Sequence, residues 1–93
     1  LINLSEKRVV INGSEVALPT KEFELLVYCA QNPKKILSKK RIFEAVWKQE
    51  YMYDDNTIMA TMSRLRKKID GLSAPDEYIQ TIKGMGYRFN APV

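Results

Sequence analysis

The sequence has no histidine and a single cysteine, Cys29. Lacking histidine, it has no side chain that binds metals and exchanges protons near neutral pH without any shift of its pKa. With one cysteine, an internal disulfide is impossible. Together these absences remove the material of the common metal sites and of nucleophile–histidine pairs, so neither an enzyme nor a cofactor is expected. Long apolar runs are also missing. A membrane-spanning helix needs about 20 consecutive apolar residues, and the longest runs here are a few residues. The charged-then-apolar opening of a secretion signal is absent too, and the cytoplasm is the expected compartment. No internal repeat or low-complexity segment interrupts the chain.

What remains is an ordinary globular composition with an uneven charge. The 93 residues, 45% hydrophobic and 28% charged, suit one domain with one modest core. The net charge of +4 fits a polyanionic partner without requiring one. Its distribution is more informative: residues 34–48 and 63–70 hold ten of the fifteen cations, whereas residues 1–24 carry three cations against four carboxylates.

The order of elements follows from local chemistry. Val9, Val10 and Ile11 run into Asn12-Gly13, a dipeptide suited to a tight hairpin turn, and a second strand is predicted through Val16 to Leu18. Thr20 is the predicted N-cap of a first helix, with Glu22 and Glu24 in its first turn and Phe23, Leu26, Val27 and Ala30 as its buried stripe. Asn32-Pro33 ends this helix and a short basic loop follows. Ser38 caps a second helix in which Ile42 pairs with Val46 and Phe43 with Trp47. Lys39, Lys40 and Arg41 place positive charge at the positive end of that helix dipole, a conflict worth roughly 0.3–1 kcal/mol per charge at most. Residues 48–54 read as a loop, with Asp55 or Asn56 capping a third helix over about Thr57 to Asp70. Ile58, Met62, Leu65 and Ile69 form its core face. Gly71 is a candidate C-cap and Pro75-Asp76 a loop. Tyr78 to Ile82 and Tyr87 to Phe89 are the strands of a last hairpin, turning at Lys83-Gly84-Met85-Gly86.

Several surfaces carry candidate chemistry. On the third helix the side opposite the core is centred on Lys67 and includes Ala60, Ser63 and Arg64, with Met59 and Arg66 at its margin. Small residues allow close approach to a DNA major groove, and cations reach phosphates or the acceptor edge of guanine. Periodicity alone leaves a solvated basic face as the alternative. The glycine turn offers Lys83 and Gly84 to a minor groove or backbone; a plain hairpin turn is the alternative. It lacks the spacing and the lysine-serine or lysine-threonine ending of a nucleotide-binding loop. The second helix's N-terminus, with Lys39 and Lys40, suits phosphate; solvation of these cations by water and counterions is the alternative. Trp47 is read as packing whose indole N–H can also donate to a phosphate. Cys29 is an inert packed thiol, and Asp54 and Asp55 serve as a cap rather than a hydrolytic or metal pair.

In sequence, Leu18-Pro19-Thr20 through Glu22-Phe23 and Leu25-Leu26, Ser38 to Trp47, Ser63-Arg64-Leu65-Arg66-Lys67-Lys68-Ile69 and Gln80 to Phe89 resemble the OmpR/PhoB-type winged-helix effector domains of bacterial response regulators. The resemblance covers nearly the whole chain. It implies an α+β winged helix-turn-helix, with an N-terminal antiparallel sheet over 1–18, three helices over 20–71 and a hairpin wing over 77–90. The function implied is sequence-specific binding of double-stranded promoter DNA, with the third helix (57–70) in the major groove and the wing (82–87) at the minor groove. By resemblance, Ser63, Arg64 and Arg66 contact bases or phosphates. Trp47, Thr81 and Lys83 meet backbone or minor groove, and Asn56 and Thr57 stand at the start of the recognition helix. Asn56 departs from the family, which usually has arginine there. Also implied are a head-to-tail dimer on direct repeats, an RNA polymerase contact through Tyr51 and Tyr53, and a receiver domain that does not fit in these residues, so that the chain reads as an excised C-terminal piece. A winged-helix module that binds protein is the second reading.

Overall fold

The computed structural model describes residues 2–3, 9–11, 13–52, 55–69 and 78–90. It begins with a three-stranded antiparallel sheet of β1 (Ile2–Asn3), β2 (Val9–Ile11) and β3 (Ser14–Val16), in that order. Ile11 pairs with Ser14 and Val9 with Val16, and Gly13 takes a φ of 84°. The hairpin is therefore the tight one read from the sequence, although Asn12 lies outside the described residues. The second strand starts at Ser14 rather than Val16, because a two-residue turn resumes pairing at once. Ala17 to Pro19 then leave the sheet.

Helix α1 (Thr20–Gln31) starts one residue earlier than the cap assignment implied. Phe23 N donates to the Pro19 carbonyl at 2.9 Å, so Pro19 is the N-cap, Thr20 lies inside the helix, and no side chain caps it. The inner face holds Glu22, Leu25, Leu26, Cys29 and Ala30. Phe23 and Val27, expected in the core, are only half-buried. The stripe is displaced because a carboxylate occupies its first inner position and finds cationic partners there. At the far end Asn32 Nδ2 donates to the Tyr28 carbonyl at 2.8 Å, and Pro33 follows.

The basic connection contains a strand that the sequence did not reveal. β4 (Ile36–Leu37) pairs antiparallel with β6 (Gly86–Phe89), which in turn pairs with β5 (Ile79–Ile82), giving the order β4-β6-β5. Lys34 N adds a bond to the Phe89 carbonyl at 2.8 Å. Two residues are too few to show a period of two, so only the partner strand defines this one. β5 begins at Ile79 and β6 at Gly86, each one residue from its predicted start.

Helix α2 (Lys39–Trp47) opens as expected on Ser38, whose Oγ accepts from Arg41 N at 3.1 Å. Ile42 and Val46 are buried, and Phe43 and Trp47 stack at 5.2 Å with 9° between ring planes. Helix α3 (Asp55–Ile69) begins two residues before the predicted Thr57, which places Asp55 and Asn56 inside it rather than at the cap. A carboxylate in the first turn suits the helix dipole. Asp70, Gly71 and Pro75-Asp76 lie outside the described residues. Ile58, Met62, Leu65 and Ile69 are at most 1% exposed, as the periodicity required. They meet Leu25, Leu26, Leu37, Ile42, Ile79 and Phe89 in one core. Burial of each such side chain favours folding by roughly 1.5–3 kcal/mol. Helix α1 packs on both α2 and α3, which leaves the other side of α3 outward beside the hairpin.

Candidate nucleic-acid interface

The outward side of α3 presents Met59, Ala60, Ser63, Arg64 and Lys67, all exposed. Beside it runs a groove of about 730 Å³ between α3, the start of α2 and the β5–β6 turn. Among the sequence candidates it brings together Lys39, Tyr51, Ser63, Arg66, Lys67, Thr81 and Gly84. Ala60, Arg64, Lys40, Trp47, Asn56, Thr57 and Lys83 do not line it. Of these, Ala60, Arg64, Lys40, Asn56 and Lys83 are exposed, while Thr57 and Trp47 are half-buried. Tyr53 lies outside the described residues.

The hairpin tip is shaped by two glycines with different duties. Met85 N donates to the Ile82 carbonyl at 2.9 Å, and Gly84 has a φ of 77°, the left-handed value that a type II turn needs at its third residue. Gly86 has a φ of 138°, and a Cβ there would stand 2.0 Å from the Leu37 carbonyl oxygen. Absence of a side chain at Gly86 thus lets β4 pass against β6 and ties the wing to the start of α2.

Individual contacts set how the candidates are held. Arg66 lies with its guanidinium carbon 5.2 Å from the centre of the Tyr87 ring, and its Nε and Nη2 are buried without a hydrogen-bond partner. It therefore joins α3 to the wing strand as well as lining the groove. Lys39 Nζ sits 3.5 Å from Asp55 Oδ2, and the Tyr51 hydroxyl donates to Asp55 Oδ1. Tyr51 also packs at 5.8 Å against Phe43, which ties the loop after α2 to both helices. Trp47 is held by its stack on the same ring. Arg64, 59% exposed, places Nε 3.6 Å from Glu22 Oε2, and its Nη2 donates to Thr61 Oγ1 at 3.4 Å. Glu22 also accepts from Lys68 Nζ at 2.7 Å. Cys29 faces the other way, into the core. Burial pushes its thiol from 9.0 up to about 12, and the nearby Arg66 charge offsets only part of that.

Sequence reasoning missed Glu22 and Thr61, both on inner faces at 4% and 3% exposure. A signal existed for Glu22, which lies three, four and seven residues before Leu25, Leu26 and Cys29 and so shares their helical face. The same signal existed for Thr61, three residues after Ile58 and four before Leu65, but a hydroxyl does not count toward an apolar stripe. Met59 and Met85, 49% and 58% exposed, are apolar parts of the groove that the cation count overlooked.

Three helices with a hairpin wing against the third define the winged helix-turn-helix class. Residues 13–89 match the family model described as "Transcriptional regulatory protein, C terminal", and the chain belongs to that family, the OmpR/PhoB-type DNA-binding output domains. It is a family of transcription regulators, not of enzymes. The chain is 43% identical over 89 residues to the response regulator SaeR of Staphylococcus aureus, covering 96% of this chain and 39% of SaeR. It is 39% identical over 87 residues to the uncharacterized transcriptional regulatory protein YcbL of Bacillus subtilis, covering 94% and 38%. The chain thus spans about two-fifths of the length of these curated relatives. Among solved structures, the Klebsiella pneumoniae RstA DNA-binding domain in complex with the RstA box superposes with a TM-score of 0.82 at 27% identity, over 96% of this chain and 88% of that one. The C-terminal domain of the nisin resistance regulator NsrR gives 0.79 at 31% identity, over 95% and 89%. Among the described residues no helix is long and apolar enough to cross a membrane.

Proposed function

We propose that this chain binds double-stranded promoter DNA in a sequence-specific manner, with α3 in the major groove and the β5–β6 turn at the adjacent minor groove. The observation that carries the reading is the outward face of α3, where Ala60, Ser63, Arg64 and Lys67 are all exposed and continue into a groove edged by Lys39 of α2 and by Thr81 and Gly84 of the hairpin. A major groove admits a helix, and the small Ala60 and Ser63 let the helix backbone come close to the bases. Arg64 is the candidate reader of guanine. Lys67 and Arg66 neutralise phosphates, with Asn56 and Thr57 adding polar contacts at the start of the same helix. Lys39 and Lys40 meet phosphate at the N-terminus of α2, where free backbone amides add to the attraction. The Trp47 indole donates at the backbone, and Lys83 enters the minor groove where its negative potential is strongest.

In the longer protein, we place a receiver domain before this one, a head-to-tail dimer on direct-repeat DNA, and the cytoplasm as the compartment. The 39% coverage of SaeR, a response regulator, supports the receiver domain. The polymerase-facing surface is the loop after α2, where Met52 is 74% exposed and Tyr51 is braced by Phe43; Tyr53 belongs to the same proposal. The test is a salt titration of binding to a fluorescent duplex from the promoter of its own operon, beside a scrambled duplex. The promoter is expected to bind at least about 10³-fold more tightly, with log affinity falling linearly against log salt. Equal affinities would refute sequence reading, and no binding at low salt would favour a protein-binding module.

A further inference from the structure

Glu22 is almost fully buried, its side chain 5% exposed, whereas the side chains of its two charged neighbours are 59% (Arg64) and 37% (Lys68) exposed. A buried carboxylate is costly unless paired, and Lys68 at 2.7 Å already supplies one charge-assisted partner. The other oxygen, Oε2, lies 3.6 Å from Nε of Arg64, a side chain that otherwise projects from the outer face of α3. Thr61, itself 3% exposed, accepts from Nη2 of the same guanidinium at 3.4 Å. A guanidinium is a planar fork with five N–H donors in fixed directions. Its Nε–Nη2 edge faces Glu22 at ion-pair distance and donates to Thr61, which leaves the terminal Nη1–Nη2 edge turned toward a partner outside the protein. Two parallel donors match the O6 and N7 acceptors of guanine in the major groove.

We infer that Glu22 is a positioning residue: from α1 its charge, with the Thr61 hydroxyl, holds the Nε–Nη2 edge of Arg64 inward, so that the terminal edge is presented to a single guanine. The inference rests on the proposal that α3 reads the major groove. A flexible arginine must give up its rotamer freedom on binding, whereas one already held gives up less, and wrong bases then meet donors that cannot swing aside.

The test is selection of duplexes with a randomised core by the wild-type chain, Arg64→Ala, Glu22→Gln, the double variant, Thr61→Val and Lys68→Met, with the bound fractions sequenced. Arg64→Ala identifies the base pair concerned by losing preference there. Glu22→Gln is expected to lose about five- to tenfold of the preference at that same base pair and to keep the others, since a good bidentate contact discriminates by about that much or more. The double variant is expected to match Arg64→Ala alone, and Thr61→Val to lose part of the same preference. Lys68→Met removes the other partner of Glu22 and is expected to weaken all duplexes alike with the base profile unchanged. If Glu22→Gln melts below the assay temperature, Thr61→Val carries the test. Uniform weakening by Glu22→Gln and Thr61→Val on every sequence would overturn the inference. A wild-type preference that Arg64→Ala leaves untouched would overturn it while sparing the proposed function. No preference in the wild type would overturn both.

Discussion

Gly86 shows how much a missing side chain can carry. Both obstacles to a larger residue act at once: a φ of 138° and a Cβ position 2.0 Å from the Leu37 carbonyl oxygen, which belongs to backbone and cannot rotate away. Gly86→Ala is expected to cost at least about 3 kcal/mol, because a strained backbone alone costs about 1–3 kcal/mol and the clash adds to it. Gly84→Ala meets nothing within 4 Å and bears only the cost of its φ of 77°, about 1 kcal/mol. Urea melts of the two variants check the contrast. Cys29 gives a second test. Its thiol holds its proton until about pH 12 in the fold but only to about 9.0 when unfolded. Between those values the unfolded chain binds fewer protons, so stability falls as pH rises through that window and is unaffected by this group below it. Alkylation by iodoacetamide at pH 8 is expected to be negligible without denaturant and prompt in urea. Reaction at equal rates in both would contradict the buried thiol. At this scale the sequence was most legible where a residue acts through its own backbone or apolar surface, as with Ser38, Gly84 and Ile58. Glu22 was read only as a first-turn carboxylate, since the residues that explain it, Arg64 and Lys68, lie more than forty positions away.

Among the elements, α2 carries a conflict that its own stability does not explain. Lys39, Lys40 and Arg41 occupy its first turn with no acidic residue there, where each positive charge opposes the helix dipole. Lys39 is partly relieved by Asp55 at 3.5 Å, whereas Lys40 stays exposed. Lys40→Glu is therefore expected to raise folding stability by about 0.5–1 kcal/mol. It is also expected to weaken DNA binding and to make the slope of log affinity against log salt shallower by about 1. A variant that is more stable and binds equally well would remove α2 from the interface. Ser38→Ala removes the one side-chain cap of this helix and should cost about 1 kcal/mol in the same melts. Helices were legible because each repeats its apolar face over several turns, as α3 does through Ile58, Met62, Leu65 and Ile69. Strand β4 was not, because two residues have no period and its identity comes from pairing with Arg88 and Tyr87 on a strand fifty positions later. The inner face of α1 was misplaced for a related reason: hydrophobicity cannot mark a buried glutamate.

For the whole molecule, the fold packs one side of α3 into the core and leaves the other, with Arg64 and Lys67, exposed. Burial of Leu25, Leu26, Ile58 and Leu65 fixes α1 across the back of α3, and the β4-β6-β5 sheet fixes the hairpin beside its front. The candidate surface was legible as a set of residues, since cations and glycines could be counted along the chain. Its geometry was not, because the groove needs β4 to bring the start of α2 to the wing, and Arg66 needs Tyr87 to lie over. The most direct test of the DNA-reading claim is a dimethyl sulfate footprint on the selected duplex, since this reagent marks guanine N7 in the major groove and adenine N3 in the minor groove. Protection of guanine N7 within the core site, lost at one guanine in Arg64→Ala, with protection of a neighbouring adenine N3 that is lost in Lys83→Ala, is the expected result. Tight binding with neither atom protected would mean that the chain holds DNA by its backbone alone, which contradicts base reading by α3 and minor-groove entry by the wing.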